Sequence, residues 1–306
     1  MFAKETTETE LNIKETINQG GPFQFFARHQ QTLKWIIYTL LILNFGYYLF
    51  DDWRAAQSTL LPDASFFEIT RAYATSFDEL GWFFIIFLLE VETYWLEDRT
   101  ALGPVYWLMQ IFRVLCYVVL CHTLYAFIDT VIDLGNATVL SDVDSLCALV
   151  GEDLYFVRNL LYELIDAGNC ASLSAGGEIY RFVAEPVVSD TSGHRMELSH
   201  AWVDVIEISG WLTVSLLLTF VMVLQNKGIF DSRWIRGAEM LQHIAYVIIA
   251  GTAIYWIFFT YYVYTWDILL WIGGFVIIDA NLAEWRHELE DDSESLEPAE
   301  VKGRAL

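Results

Sequence analysis

The sequence predicts an all-α polytopic membrane protein: six transmembrane helices, with two related hairpins among them, and a small, mostly helical extracytoplasmic cap. Three observations predict it. The 306 residues are 55% hydrophobic and only 19% charged, below the quarter usual for soluble domains. Six apolar runs approach the roughly 20 residues a helix needs to cross a bilayer. Lys and Arg gather in alternate connecting segments, as the positive-inside rule requires.

The six runs cover 35–50, 80–96, 105–128, 202–224, 241–264 and 268–285. The first is short and needs Lys34 and Asp51 at the interfaces. Trp35, Trp82, Trp107, Trp202, Trp271 and Trp285 lie near the ends of runs, where an aromatic belt belongs. Only Thr265-Trp266-Asp267 separates the last two runs, which predicts an antiparallel hairpin with its turn there. Gly273-Gly274 in the sixth run predicts close helix packing.

Residues 1–20 lack the apolar core of a cleavable signal peptide. With the N-terminus inside, the cytoplasmic segments hold 11 Lys and Arg and the outer ones 5. The location expected is therefore the cell (inner) membrane, multi-pass, with both termini cytoplasmic. The chain divides into a cytoplasmic N-terminal segment (1–34), helices 1–3 (35–133), the cap (134–200), helices 4–6 (201–286) and an acidic cytoplasmic tail (287–306). After His287 the tail carries seven acids in 14 positions, a composition that predicts disorder.

In the cap, Ser141 with Asp144 three residues on resembles a capping signal. Leu146, Leu149, Val150, Leu154, Val157, Leu160, Leu161 and Leu164 have helical spacing. The expectation is a helix over 142–167, or two helices broken at Gly151, stopped by Gly168. Residues 178–188 alternate weakly and predict a strand pair. Cys147 and Cys170 fall in this segment and predict a disulfide.

An internal repeat appears when the second run is laid on the sixth with an offset of 189 residues. Asp78 and Trp82 fall on Asp267 and Trp271, Glu90 on Asp279, and Glu92 on Asn281. Glu90 and Asp279 sit ten and 11 residues into their runs, close to mid-bilayer. An acid there costs about 2.5–3.5 kcal/mol on insertion scales and is a functional candidate by default. Glu90, Thr93 and Glu97 share one helical face. Together with Glu92 and Asn281 they form a candidate ion pathway.

Arg113, with Gln110 on the same face, is the sole Lys or Arg inside a run and offers a charge partner to one of the glutamates. Asp78, Asp129, Asp133, Asp204, Glu207 and Asp267 fall at the proposed outer mouth, where acidic rings concentrate cations.

The function classes follow. A net charge of −23 argues against a nucleic-acid surface and against general adhesion to acidic lipid head groups. No Walker A, Gly-x-Ser-x-Gly or His-Glu-x-x-His motif occurs, so no enzyme and no metal site are expected. His122 and His243 could in principle clamp haem b, but their depths in the membrane disagree, and no cofactor is expected. The leading expectation is a cation channel or ion-coupled transporter. Its partners would be the lipid bilayer, a monovalent or divalent cation or a proton, and further copies of the chain in a homo-oligomer. The alternative is a non-transporting membrane scaffold, assembly factor or sensor whose cap binds a partner.

Overall fold

The computed structural model describes residues 22–94, 103–174, 177–226, 229 and 232–275. Glu97, Asp279, Asn281 and the acidic tail lie outside them. The helices are α1 (Pro22–Thr59), α2 (Phe66–Ala72), α3 (Ala74–Tyr94), α4 (Pro104–Gly135), the one-turn α5 (Cys170–Leu173), α6 (Thr191–Asn226) and α7 (Arg233–Phe258), followed by α8 over 262–275. Five strands fall between α4 and α6. They are β1 (Thr138–Val139), β2 (Tyr155–Arg158), β3 (Leu161–Leu164), β4 (Ile179–Arg181) and β5 (Val187–Asp190).

Among the described residues, four helices are long and apolar enough to cross a membrane: Thr32–Thr59 within α1, all of α4, Thr191–Val221 within α6, and all of α7. Their outward faces are apolar too. On α4, Trp107, Leu108 and Val114 are each more than 60% exposed, a face suited to lipid and not to water. The described part of α3 carries Asp78, Glu79, Glu90 and Glu92 in 21 residues.

Small residues set the close approaches between helices. A Cβ on Gly81 of α3 would come within 2.8 Å of Leu120 Cδ2 on α4, and one on Gly210 of α6 within 2.8 Å of Ile249 Cγ1 on α7. By contrast, a Cβ on Gly273 or Gly274 would lie 3.8 or 3.7 Å from the Ile37 side chain, an ordinary contact. The close packing expected at that pair is therefore not a demand for glycine. The chain forms two compact units, Met1–Leu43 with Trp266–Leu306, and Asn44–Thr265. The sites below all belong to the second.

The segment between α4 and α6, expected as a cap, differs from the expectation. It is not mostly helical but built on a five-stranded sheet in the order β1-β4-β5-β2-β3, with β2 and β5 parallel and the other pairs antiparallel. The helix expected over 142–167 is a short 3-10 turn, Leu146–Leu149, followed by the β2–β3 hairpin. Ser145, not Ser141, caps that turn through the Cys147 N–H. Gly168 lies in a turn around Asp166, whose Oδ1 accepts from Gly168 and Asn169 N–H.

Pairing explains the apolar run. Phe156 and Val188 point into a cluster with Leu146, Leu149, Leu154, Ile165 and Cys170. Their neighbours Val157 and Val187 point the other way, against Val131 and Leu134 of α4 and Ala201 of α6. Period-2 alternation between two buried faces reads in sequence as a continuous apolar segment. The strand pair expected over 178–188 is present as β4 and β5, paired antiparallel from Ile179–Asp190 to Arg181–Val188. A disulfide joins Cys147 to Cys170, with Cα atoms 4.8 Å apart.

Two further boundaries move. Helix α6 starts at Thr191, eleven residues before the apolar run, because its polar first turns pack on the sheet through Leu198 and Ala201. The turn between the last two runs is at 259–261, where Thr260 has φ 68°. Trp266 and Asp267 instead lie inside α8.

Candidate functional site

Two cavities of opposite charge lie where the helices meet the sheet. The first is built by the short helix α2. Its start is a capping box: Ser65 Oγ accepts from Glu68 N–H, and Glu68 Oε2 accepts from Ser65 N–H at 2.6 Å. The helix leaves Phe66, Phe67 and Ile69 exposed and turns Arg71 inward. Arg71 Nη1 donates to Asp129 Oδ2 at 2.9 Å, and Nη2 donates to Glu185 Oε1 at 3.2 Å. Asp133 Oδ2 lies 4.0 Å from the same Nη2, while Asp133 Oδ1 accepts from the Ala184 N–H. One guanidinium, 12% exposed, thus serves three carboxylates from α4 and the β4–β5 connection.

Beside it is a cavity of about 170 Å³ lined by Asp52, Glu68, Arg71, Glu185, Tyr162, Thr59, Thr75 and Thr130, among others. Asp52 Oδ2 accepts from both the N–H and the Oγ–H of Ser76, at 2.8 and 2.7 Å. Burial pushes the Glu185 carboxyl up to about 7, with Arg71 pulling it down and Asp133 pushing it further up. Burial thus outweighs the Arg71 cation in setting the protonation of Glu185. Arg71 is the sole base among the residues lining this cavity.

The second cavity, about 670 Å³ and more open, lies at the start of α6. It is lined by Arg158, Asp190, Thr191, Ser192, Arg195 and Ser199, with Gly177, Met196 and Phe259. It adjoins the β2–β3 turn, where Asn159 and Leu160 both have positive φ, 54° and 57°. That is a two-residue hairpin with the backbone of a type I′ turn, which costs a leucine strain. Four contacts hold it. Leu160 N–H donates to Glu197 Oε1 at 3.1 Å, and Tyr261 Oη–H donates to the Asn159 carbonyl. Asn159 Oδ1 meets His200 Nε2 at 3.1 Å, and Asn159 Nδ2 donates to the Phe259 carbonyl at 3.4 Å. His200 is 1% exposed, and its Nδ1 pairs with Tyr255 Oη at 2.8 Å.

The residues singled out from sequence are placed as follows. Glu90 on α3 and Gln110 and Arg113 on α4 are half-buried. Glu92 and Thr93 belong to the last turn of the described part of α3. Of the proposed mouth, Asp78 accepts from Trp82 Nε1–H and Thr123 Oγ–H. Asp129 and Asp133 bind Arg71, and Glu207 Oε2 accepts from Trp256 Nε1–H at 3.4 Å. Asp204 is half-buried on α6 and Asp267 is buried on α8. Among these acids, Asp129 and Asp133 converge on Arg71, Asp78 and Glu207 each meet a tryptophan, and Asp267 belongs to the first unit.

His122 Nε2 meets Thr70 Oγ at 3.0 Å, and His243 Nδ1 meets the Glu239 carbonyl at 2.6 Å. Sequence reasoning missed Arg71, Asp52, Glu185 and the Arg158–Arg195 pair. One signal was available: Ser65-Phe66-Phe67-Glu68 is a capping-box pattern that announces α2. No known protein family, curated protein or solved structure matches the chain.

Proposed function

We propose that the protein moves cations across a membrane, as a channel or an ion-coupled transporter, and that the Arg71 cavity gathers the cation. The observation that carries this reading is the composition of the cavity: Asp52, Glu68 and Glu185 line it against the single base Arg71, whose guanidinium also binds Asp129. A cluster with excess negative charge inside low-dielectric walls raises the local cation concentration. Arg71 limits the repulsion among the acids without neutralising them all. From there the route runs along α3 past Glu90, and Asp279, which falls on Glu90 when the second and sixth apolar runs are aligned, is the second acid assigned to it.

The test is cation flux into liposomes. Wild-type protein is expected to admit a monovalent cation or protons above the protein-free rate. Glu90→Gln combined with Asp279→Asn is expected to abolish that flux while leaving the melting temperature nearly unchanged. Flux at the protein-free rate for the wild type sinks the reading.

A second reading, a non-transporting scaffold or sensor, is favoured by a specific observation: Asp78, Asp129, Asp133 and Glu207 all bind other side chains of the chain. Acids spent on internal pairing are structural. In that case the disulfide-bonded sheet would be the partner-binding surface, and liposomes would show no flux.

A further inference from the structure

The cavity at the start of α6 carries an inference independent of the cation reading. Its charge is the reverse of the first: two guanidiniums, Arg158 and Arg195, against one carboxylate, Asp190. That carboxylate is already engaged. Asp190 Oδ2 pairs with Arg158 Nη2, and Oδ1 accepts from the Gly193 N–H at 2.6 Å. Arg158 lies over the Phe156 ring with its guanidinium carbon 5.4 Å from the centroid. Its Nε–H is sealed from solvent and has no acceptor among the described residues. Arg195 is exposed and makes no ion pair among the described residues. In a chain with 17 bases to 40 acids, an unpaired arginine beside a second one is a local departure from composition.

The face that leads away from the cavity identifies the anion. Arg195, Ser199, Trp202 and Ile206 share one side of α6 through i, i+4, i+7 and i+11 spacing, and all four are exposed, Trp202 by 52% and Ile206 by 45%. Further along the helix, Leu216 and Phe220 are exposed as well. The order along this helix is guanidinium and hydroxyl, then indole, then aliphatic and aromatic side chains. This matches a phospholipid read from phosphate through the interface to the acyl chain.

We propose that this cavity binds the phosphate of a phospholipid headgroup, with Arg195 and Arg158 donating to its oxygens, Ser192 adding a hydroxyl donor, and an acyl chain lying along Trp202 and Ile206. Guanidinium forks fit phosphate oxygens in a planar, paired geometry that an ammonium does not reproduce. The site takes one headgroup at one cavity and needs no overall attraction to an acidic bilayer.

Native mass spectrometry of the full chain in dodecyl maltoside tests it, with dioleoyl-phosphatidylglycerol, dioleoylglycerol or inorganic phosphate added. Wild-type protein is expected to retain one phosphatidylglycerol and no dioleoylglycerol. Arg195→Gln is expected to weaken retention roughly tenfold with an unchanged melting temperature, and Arg195→Lys to weaken it less. Equal retention by wild type and Arg195→Gln overturns the proposal. Equal retention of dioleoylglycerol overturns the phosphate assignment, and binding of inorganic phosphate without retention of the lipid overturns the lipid assignment.

Discussion

The two cavities differ in how an arginine is used. Arg71 is surrounded by Asp129, Asp133 and Glu185, so its positive charge is spent and the cavity beside it stays acidic. Arg158 shares the already bonded Asp190, and Arg195 has no ion pair among the described residues, so that cavity stays basic. The same side chain stabilises the fold at the first and is available to a ligand at the second. Local charge balance, not the net −23, decides what each cavity can hold.

Both cavities lie at the sheet end of the helices, so both should face one side of the membrane. Labelling gives the largest expected effect, all against none. A cysteine introduced at Val183, 64% exposed beside β4, is expected to react with an impermeant maleimide added outside cells. One at Ile229, 40% exposed between α6 and α7, is expected to stay unlabelled. The reverse pattern places both cavities on the cytoplasmic side.

Substitution of the arginines should separate their roles in folding. Arg71→Leu strands its acids, and breaking a buried pair in this way costs about 3–5 kcal/mol. Arg195→Gln removes an exposed, unpaired side chain and is expected to change stability by less than about 0.5 kcal/mol. Thermal melts in detergent read both, and equal losses would erase the distinction.

The sheet supplies Glu185 to one cavity and Arg158 to the other, so loosening it should weaken both. The Cys147–Cys170 bond closes a loop with a sequence separation of 23, worth about 3 kcal/mol in the chain-entropy account. Reductant is expected to lower the melting temperature correspondingly, and mass mapping without reductant should find the two cysteines linked.

Titration gives a graded effect, no larger than that of the disulfide. The Glu185 pKa is raised from 4.5 in the unfolded chain to about 7 in the fold. The folded form therefore holds the proton more tightly, and the stability linked to it is complete below about pH 4.5 and lost as pH rises through about 7. The loss from this group is at most about 3 kcal/mol, reduced by its contact with Arg71. Glu185→Gln is expected to flatten the decline in melting temperature between pH 5 and 8, and an unaltered slope would assign it to another group.

Four of the six apolar runs were legible as helices long and apolar enough to cross a membrane, because length and apolarity are local properties that need no partner. The sheet was not. In β2 and β5 both faces are buried, so the alternation that marks a strand vanished into a continuous apolar stretch. The hairpin turn carries Asn159-Leu160 where Asn-Gly would have announced it. The start of α6 was misplaced because its first turns are held by Leu198 and Ala201 against the sheet, a tertiary contact invisible to hydropathy. Arg71 escaped notice for a related reason. Its partners lie 58 and 114 residues away, and only folding shows which arginine among 17 bases meets three acids.

Cation flux measured side by side for one variant of each cavity tests the account most directly. Liposomes carrying wild type, Asp52→Asn or Arg195→Gln are loaded with a thallium-quenched dye and mixed with thallium. The account predicts uptake by wild type and Arg195→Gln at similar rates, and slowing of several-fold or more for Asp52→Asn, whose carboxylate lines the acidic cavity. Equal uptake by all three, or slowing by Arg195→Gln alone, would contradict the assignment of cation entry to the Arg71 cavity.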